Sequence, residues 1–185
     1  MEKYLQVEWG KYMVFRDSLQ FLPASLEQLA ASHAKVGSGY FQNLHDVVSD
    51  VYPEADVKLL ERKGVFCYDY LDSLARLDEP AQPPREALFN KLGNVECSQA
   101  DYVHAQHVWE NFHCQNLKEY MALYLLSDIF LLADVFHAFW NNSLDEYQPD
   151  PAYFVSAPQL AWNALLKHID RPIPHITDPE MYRMI

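Results

Sequence analysis

Cysteine is scarce in this sequence, and positive charge is scarcer than negative. Only Cys67, Cys97 and Cys114 occur. An odd, scattered set is no disulfide framework and fits reduced thiols inside a cell. The 14 Lys and Arg stand against 26 Asp and Glu, a formal net charge of −12. That balance argues against a general polyanion-binding surface and leaves room only for a local basic patch. No secretory leader is visible, because the N-terminus alternates polar and apolar residues. There is no internal repeat and no low-complexity tract. With 50% of its 185 residues hydrophobic and aromatics plentiful, the chain is globular rather than disordered. It is long enough for one ordinary domain or for a piece of something larger.

What the chain does have is one long apolar stretch, LKEYMALYLLSDIFLLADVFHAFW, residues 117–140. Asn116, with Glu119 three positions on, predicts a helix N-cap and its capping-box partner. Leu117, Met121, Tyr124, Asp128, Leu131, Leu132, Val135 and Phe139 then fall on one helical stripe. Most other positions from 121 to 139 are apolar too, which predicts a central, largely buried helix. A membrane span would have to accommodate Ser127, Asp128, Asp134 and His137 in about 20 residues, which argues for a core helix instead. Tyr124 and Asp128 are neighbours on the stripe. A carboxylate there requires a cation or a hydrogen-bond donor, because burying it alone is very costly. Asp128 is therefore the leading candidate for chemistry; the competing reading is a structural carboxylate, salt-bridged or capping a nearby loop.

Strand character is confined to the start. KYLQVEW and YMVFRDS, joined at Gly10-Lys11, predict a hairpin with a type II′ turn and with Leu5, Val7 and Trp9 on one face. Such a ribbon requires further structure to pack against. Ser25 predicts the N-cap of a helix with Leu26, Leu29 and Ala30 on its apolar face. Ser18 fits a local turn; the alternative is a Ser18 hydroxyl and Leu19 lining a ligand groove. Lys58, Arg62 and Lys63 form a basic cluster before Gly64, Val65 and Phe66, either a solvated face or a phosphate contact. Residues 76–91 predict a Pro-containing loop and a short helix. Ser98 with Asp101 predicts a helix that turns Tyr102, Ala105, Trp109 and Phe112 inward. Asp101, His104 and His107, three apart, raise a zinc site, but no second Cys or His pair lies nearby and solvent-facing histidines are the simpler reading. YQPDPAYFVSAP is a Pro-rich connector, and Ser156 with Gln159 predicts a last helix with Trp162, Leu165, Leu166 and Ile169 inward. The turn-rich tail reads as a chain cut in mid-domain.

Three stretches carry recognisable patterns. FRDSLQFLPASLEQLA, with Ser18, Leu19 and Leu22, has a Ser/Thr-Leu-x-x-hydrophobic pattern. RKGVF, with Lys63 and Phe66, has Lys-x-x-hydrophobic; YLLSDIFLLADVF, with Tyr124 and Asp128, has Tyr-x-x-x-Asp. In this order they resemble the protein-primed branch of family-B DNA polymerases, and KGVFCYDYLDS through SAPQLAWNALLK looks most like the Maverick/Polinton type. The resemblance covers almost the entire chain.

The resemblance implies an α/β fold, mainly α in this chain: part of a ribonuclease-H-like 3′–5′ exonuclease domain, a short β-hairpin followed by several helices. Residues 1–146 would be the C-terminal half of that domain, with an insertion at about 67–116, and residues 147–185 a connector and first helix leading into the polymerase palm. Asp128 would be a metal ligand for Mg2+ or Mn2+, Tyr124 would orient water or the scissile phosphate, and Lys63 would place positive charge near it. Ser18, Leu19 and Leu22 would contact DNA. The implied partners are a single-stranded 3′ end and primer-template, deoxynucleotides and a terminal protein primer, with no membrane. The implied location is inside a cell, at the nucleus or a viral replication site, or in an organelle. The family's Asp-x-Glu and Asn-x-x-(Phe/Tyr)-Asp motifs and its polymerase motifs are missing from the sequence; Asp178-Pro179-Glu180 has the first spelling but at the wrong end. This chain alone is therefore expected to bind no metal stably and to be inactive. The alternative is a non-catalytic helical binding module derived from such a polymerase.

Overall fold

Helices start where an acceptor is supplied for their free N–H groups. The structure, a computed structural model, describes residues 6–35, 41–91, 93–172, 177, 178, 180 and 183. Along them run β1 (Gln6–Trp9), β2 (Met13–Arg16), α1 (Leu26–Ala34), α2 (Gln42–Val51), α3 (Gln99–Asn111), α4 (Leu117–Asn142) and α5 (Ala157–His168), with short 3-10 turns between. The described residues are mostly helical, 58%, with a two-stranded antiparallel sheet, consistent with the expected class of α/β, mainly α.

Three starts follow the sequence. Ser25 Oγ accepts from Gln28 N at 3.3 Å while Gln28 Oε1 accepts from Ser25 N at 3.2 Å, a full capping box. Ser98 Oγ accepts from Asp101 N at 3.0 Å. Asn116 Oδ1 accepts from Glu119 N at 3.0 Å, and Glu119 Oε2 from Gln115 N at 2.8 Å. α5 departs from the pattern: the Ser156 side chain makes no cap bond, and Gln159 Oε1 accepts from Val155 N instead. α2 has no cap of its own, because its N-cap residue is Phe41. The acceptor comes from α4. Asp134 Oδ1 takes Asn43 N at 3.1 Å and Asn43 Nδ2 at 2.6 Å, and Oδ2 takes Leu44 N at 3.0 Å.

Packing divides the chain into two compact units, Pro23–Phe139 and Met1–Leu22 with Trp140–Ile185. The hairpin thus groups with the C-terminal segment, and the division falls inside α4. The larger unit holds a continuous core that includes Leu44, Val48, Leu60, Phe66, Phe112, Leu117, Leu123 and Leu131. On α4 the buried positions are Leu117, Tyr120, Leu123, Tyr124, Ser127, Leu131, Asp134 and Val135. This seam corrects the predicted stripe: Met121, Asp128, Leu132 and Phe139 are only half-buried, and Leu125 and Ile129 are exposed. The helix is apolar nearly all round, so periodicity alone could not select its inner face. Leu117–Tyr147 is long and apolar enough to cross a membrane, and its residues Leu117, Leu123 and Leu131 belong to the core of the larger unit.

In the smaller unit, β1 and β2 pair with Trp9 opposite Met13. The loop is therefore Gly10, Lys11 and Tyr12, one residue longer than predicted, with Gly10 at φ +62°. Val7 and Trp9 are exposed, and Leu5 lies outside the described residues. The Arg16 guanidinium donates to the Ala152 carbonyl, tying β2 to the turn Pro151–Tyr153. α5 buries Leu160 and Ala164, whereas Trp162 (59% exposed), Leu165 and Leu166 lie on its open face. The predicted inward face was thus wrong, because the small Ala164 four residues after Leu160 set the packed side. Ile169 falls just past the helix and is half-buried.

Candidate functional site

The segment Lys63–Tyr68 runs along one row of α4, formed by Tyr120, Tyr124 and Asp128 at four-residue spacing. Tyr120 donates its hydroxyl to the Val65 carbonyl at 2.8 Å. The Phe66 ring stacks on Tyr124, centroids 5.4 Å apart, and on Tyr120 at 6.3 Å. Tyr68 donates its hydroxyl to the Tyr124 hydroxyl oxygen at 2.8 Å. Lys63 Nζ stands 3.7 Å from Asp128 Oδ2. A methyl group on Gly64 would lie 3.4 Å from the Tyr124 ring, ordinary contact, so the approach there does not demand glycine.

The electrostatics separate the three polar groups. Tyr124 is buried, and its phenol is held well above the usual range by that burial, by its bond with Tyr68 and by the charge of Asp128. It stays protonated at neutral pH. The Asp128 side chain is 22% exposed and that of Lys63 39%. Asp128 Oδ1 is buried and has no hydrogen-bond partner. Such an oxygen is uncommon and unfavourable unless a donor or cation meets it. As a candidate metal ligand, Asp128 thus has one free oxygen to offer. Among the described residues, however, no three His, Cys, Asp or Glu side chains converge on a common point. The residues present fit one ligand of a metal site and not the whole site.

An open groove of about 360 Å³ reaches the Lys63–Tyr68 segment and Tyr124 of this cluster, while Asp128 lies outside its lining. Lys63–Phe66, Tyr68 and Tyr124 line it together with Glu27, Arg62, Leu88, Asn90, Val95, Glu96, Cys97 and Asp101. Arg62 forms an ion pair with Asp101. The Ser98 hydroxyl and then Arg62 hold the Asp101 carboxyl below its ordinary range. Burial, and after it the charge of Arg62, lowers the His104 pKa, which favours the neutral ring. His107 is exposed. Asp101 is thus already engaged by an arginine and a serine.

Lys63, Tyr124 and Asp128, singled out by sequence, are neighbours here. Ser18, Leu19 and Leu22 belong to the other unit, where the turn Ser18–Gln20 is capped by Asp17, whose carboxylate accepts from Leu19 N at 3.0 Å. The Ser18 carbonyl accepts from Phe21 N and Leu22 N, and Leu19 is exposed. Sequence reasoning passed over Tyr68, Tyr120 and Asp134. The four-residue spacing of Tyr120, Tyr124 and Asp128 was a usable signal; the bond from Tyr68 and the role of Asp134 had none. Comparison of the chain with protein families, curated proteins and solved structures finds no match.

Proposed function

We propose that the chain is the distal part of the 3′–5′ exonuclease domain of a protein-primed family-B DNA polymerase, with the lead-in to its palm. The observation that carries this is the meeting of Lys63 and Phe66 with Tyr124 and Asp128, two motifs well separated in sequence, beside an unused carboxylate oxygen. In the intact enzyme the activities are templated nucleotidyl transfer and removal of 3′-terminal nucleotides. The fold is then part of a ribonuclease-H-like domain.

Mg2+ or Mn2+, when bound in such a site, supplies charge at the phosphate and a more acidic water. Asp128 Oδ1 is the oxygen this chain offers it. Lys63, close to the other oxygen, balances the carboxylate and faces the negative charge that grows on the phosphate. Tyr124 keeps its proton and orients the attacking water or the scissile phosphate, while Tyr68 holds its oxygen in place. Ser18, Leu19 and Leu22 contact the single-stranded 3′ end, and in this branch also the protein primer.

One carboxylate does not build a two-metal site, so the 185 residues alone are expected to digest no 3′-labelled single strand. The test is the surrounding reading frame. An upstream Asp-x-Glu and Asn-x-x-(Phe/Tyr)-Asp is expected, and in that longer polypeptide Asp128→Ala abolishes magnesium-dependent digestion while templated synthesis persists. A frame without those motifs, or digestion indifferent to Asp128→Ala, overturns the proposal. A second reading, a non-catalytic helical binding module, draws on the charge of −12 and on the pairing of Arg62 and Lys63 with carboxylates. An independent start with no upstream motifs favours it.

A further inference from the structure

Lys63 has no regular structure of its own to hold it, because Lys63–Cys67 lie in neither helix nor strand. On the far side the chain is fixed by α4, through the bond from Tyr120 to the Val65 carbonyl and the stacked Phe66 ring. On the near side three helices hold it. Ser127 Oγ of α4 donates to the Leu60 carbonyl at 3.3 Å, and His45 of α2 bonds Glu61 at 2.7 Å. α3 supplies the rest. Its Asn111 Oδ1 accepts from Asp56 N at 2.8 Å, where the turn Val57–Leu60 begins. Its His104 and Val108 wall a small cavity together with Leu59, Leu60 and Arg62. Its Asp101 pairs with the Arg62 guanidinium, one residue before Lys63.

Positions 101, 104, 108 and 111 fall within one face of α3, so the helix lies along this segment. The Asp101 carboxylate is also aimed from its own helix. Ser98 Oγ donates to Oδ2 at 2.7 Å and accepts from Asp101 N at 3.0 Å, which leaves Oδ1 for the arginine. The Arg62 side chain is 49% exposed and that of Asp101 32%. A pair so open to solvent adds little to stability, and its consequence is direction. We propose that α3 is a brace for Lys63, with Asp101 as the positioning residue that, through Arg62, sets the Lys63 ammonium against Asp128. α3 lies in the stretch 67–116, which carries none of the three motifs, and the brace gives that stretch a role. The use of a fixed Lys63 at a phosphate rests on the exonuclease reading above; the brace itself does not.

Trace acetylation of the whole chain with limiting acetic anhydride, followed lysine by lysine by mass spectrometry, tests this without metal or nucleic acid. Lys63, held against Asp128, is expected to react more slowly than the exposed Lys11. Asp101→Asn keeps an oxygen for the Ser98 hydroxyl and removes the charge that holds Arg62. Arg62→Gln breaks the same pair from the other side and leaves α3 intact. Each is expected to raise the Lys63 rate about threefold relative to Lys11, while Lys118, exposed at the start of α4, keeps its wild-type ratio. A wild-type Lys63 as reactive as Lys11, an unchanged Lys63 ratio in either variant, or a rise that Lys118 shares overturns the proposal. The exonuclease reading is judged by digestion with the longer polypeptide, so either can fail alone.

Discussion

Around Asp134, α4 presses its carboxylate against the start of α2, where two backbone N–H groups and the Asn43 amide engage both oxygens. Around Asp128, less than about two turns earlier, the same helix faces a segment that leaves one oxygen unmatched and sets a lysine 3.7 Å from the other. Asp134 is 3% exposed and satisfied; Asp128 is half-buried and is not. A buried carboxylate with all its donors in place is a structural part, and its burial is repaid by the helix it caps. One with an idle oxygen is a poor structural part, and that is what makes Asp128 the candidate for the proposed site.

The contrast is sharpest in stability. Asp134→Ala strips the donors of α2 of their acceptor and is expected to cost about 3–5 kcal/mol, lowering the thermal midpoint by roughly 10 °C. A midpoint close to wild type in a circular dichroism melt would show that α2 does not depend on the remote cap. The next largest effect is alkaline. Burial, and then the charge of Glu119, pushes the Cys114 thiol from 9.0 up to about 11. A raised folded-state pKa favours the protonated native form, so its stability contribution is complete below pH 9.0 and fades as pH rises through about 11. Denaturant titrations at the two ends of that window should differ by on the order of 2 kcal/mol less in Cys114→Ala than in wild type. An unchanged difference would place the effect elsewhere. Ser25→Ala removes a local cap instead of a remote one, and the expected loss is about 1 kcal/mol by urea unfolding. Should it match the loss from Asp134→Ala, the distinction between the two kinds of cap collapses. Asp128→Ala is expected to shift stability by less than about 1 kcal/mol in either direction. A loss as large as that from Asp134→Ala would make Asp128 a structural carboxylate after all. Trp162→Ala, on the open face of α5, should stay within about 0.5 kcal/mol, and a large loss would mean that face is covered.

Much of the local structure was legible. Ser25, Ser98 and Asn116 each mark a helix start because the acceptor and the N–H groups it serves lie within four residues of each other. The hairpin was legible too, but its loop length was not: whether Tyr12 joins the strand or the turn depends on cross-strand pairing. The helix faces fared worse. On α4 and α5 apolar residues occupy more positions than one packed face can use, so Leu125, Ile129, Trp162 and Leu165 could not be sorted by period. In the candidate site the motif residues Lys63, Tyr124 and Asp128 were legible, whereas Tyr68 enters through a hydrogen bond and an edge-on ring contact with Tyr124, 56 positions away.

By itself the sequence determined where most helices begin, the helical character of residues 117–140 and which side chains were candidates for chemistry. Those properties come from neighbours a few residues apart, and short-range hydrogen bonding and propensity decide them. Only the tertiary structure decided which of two carboxylates on α4 is satisfied. That outcome depends on donors about 90 positions away in α2, which no local pattern specifies.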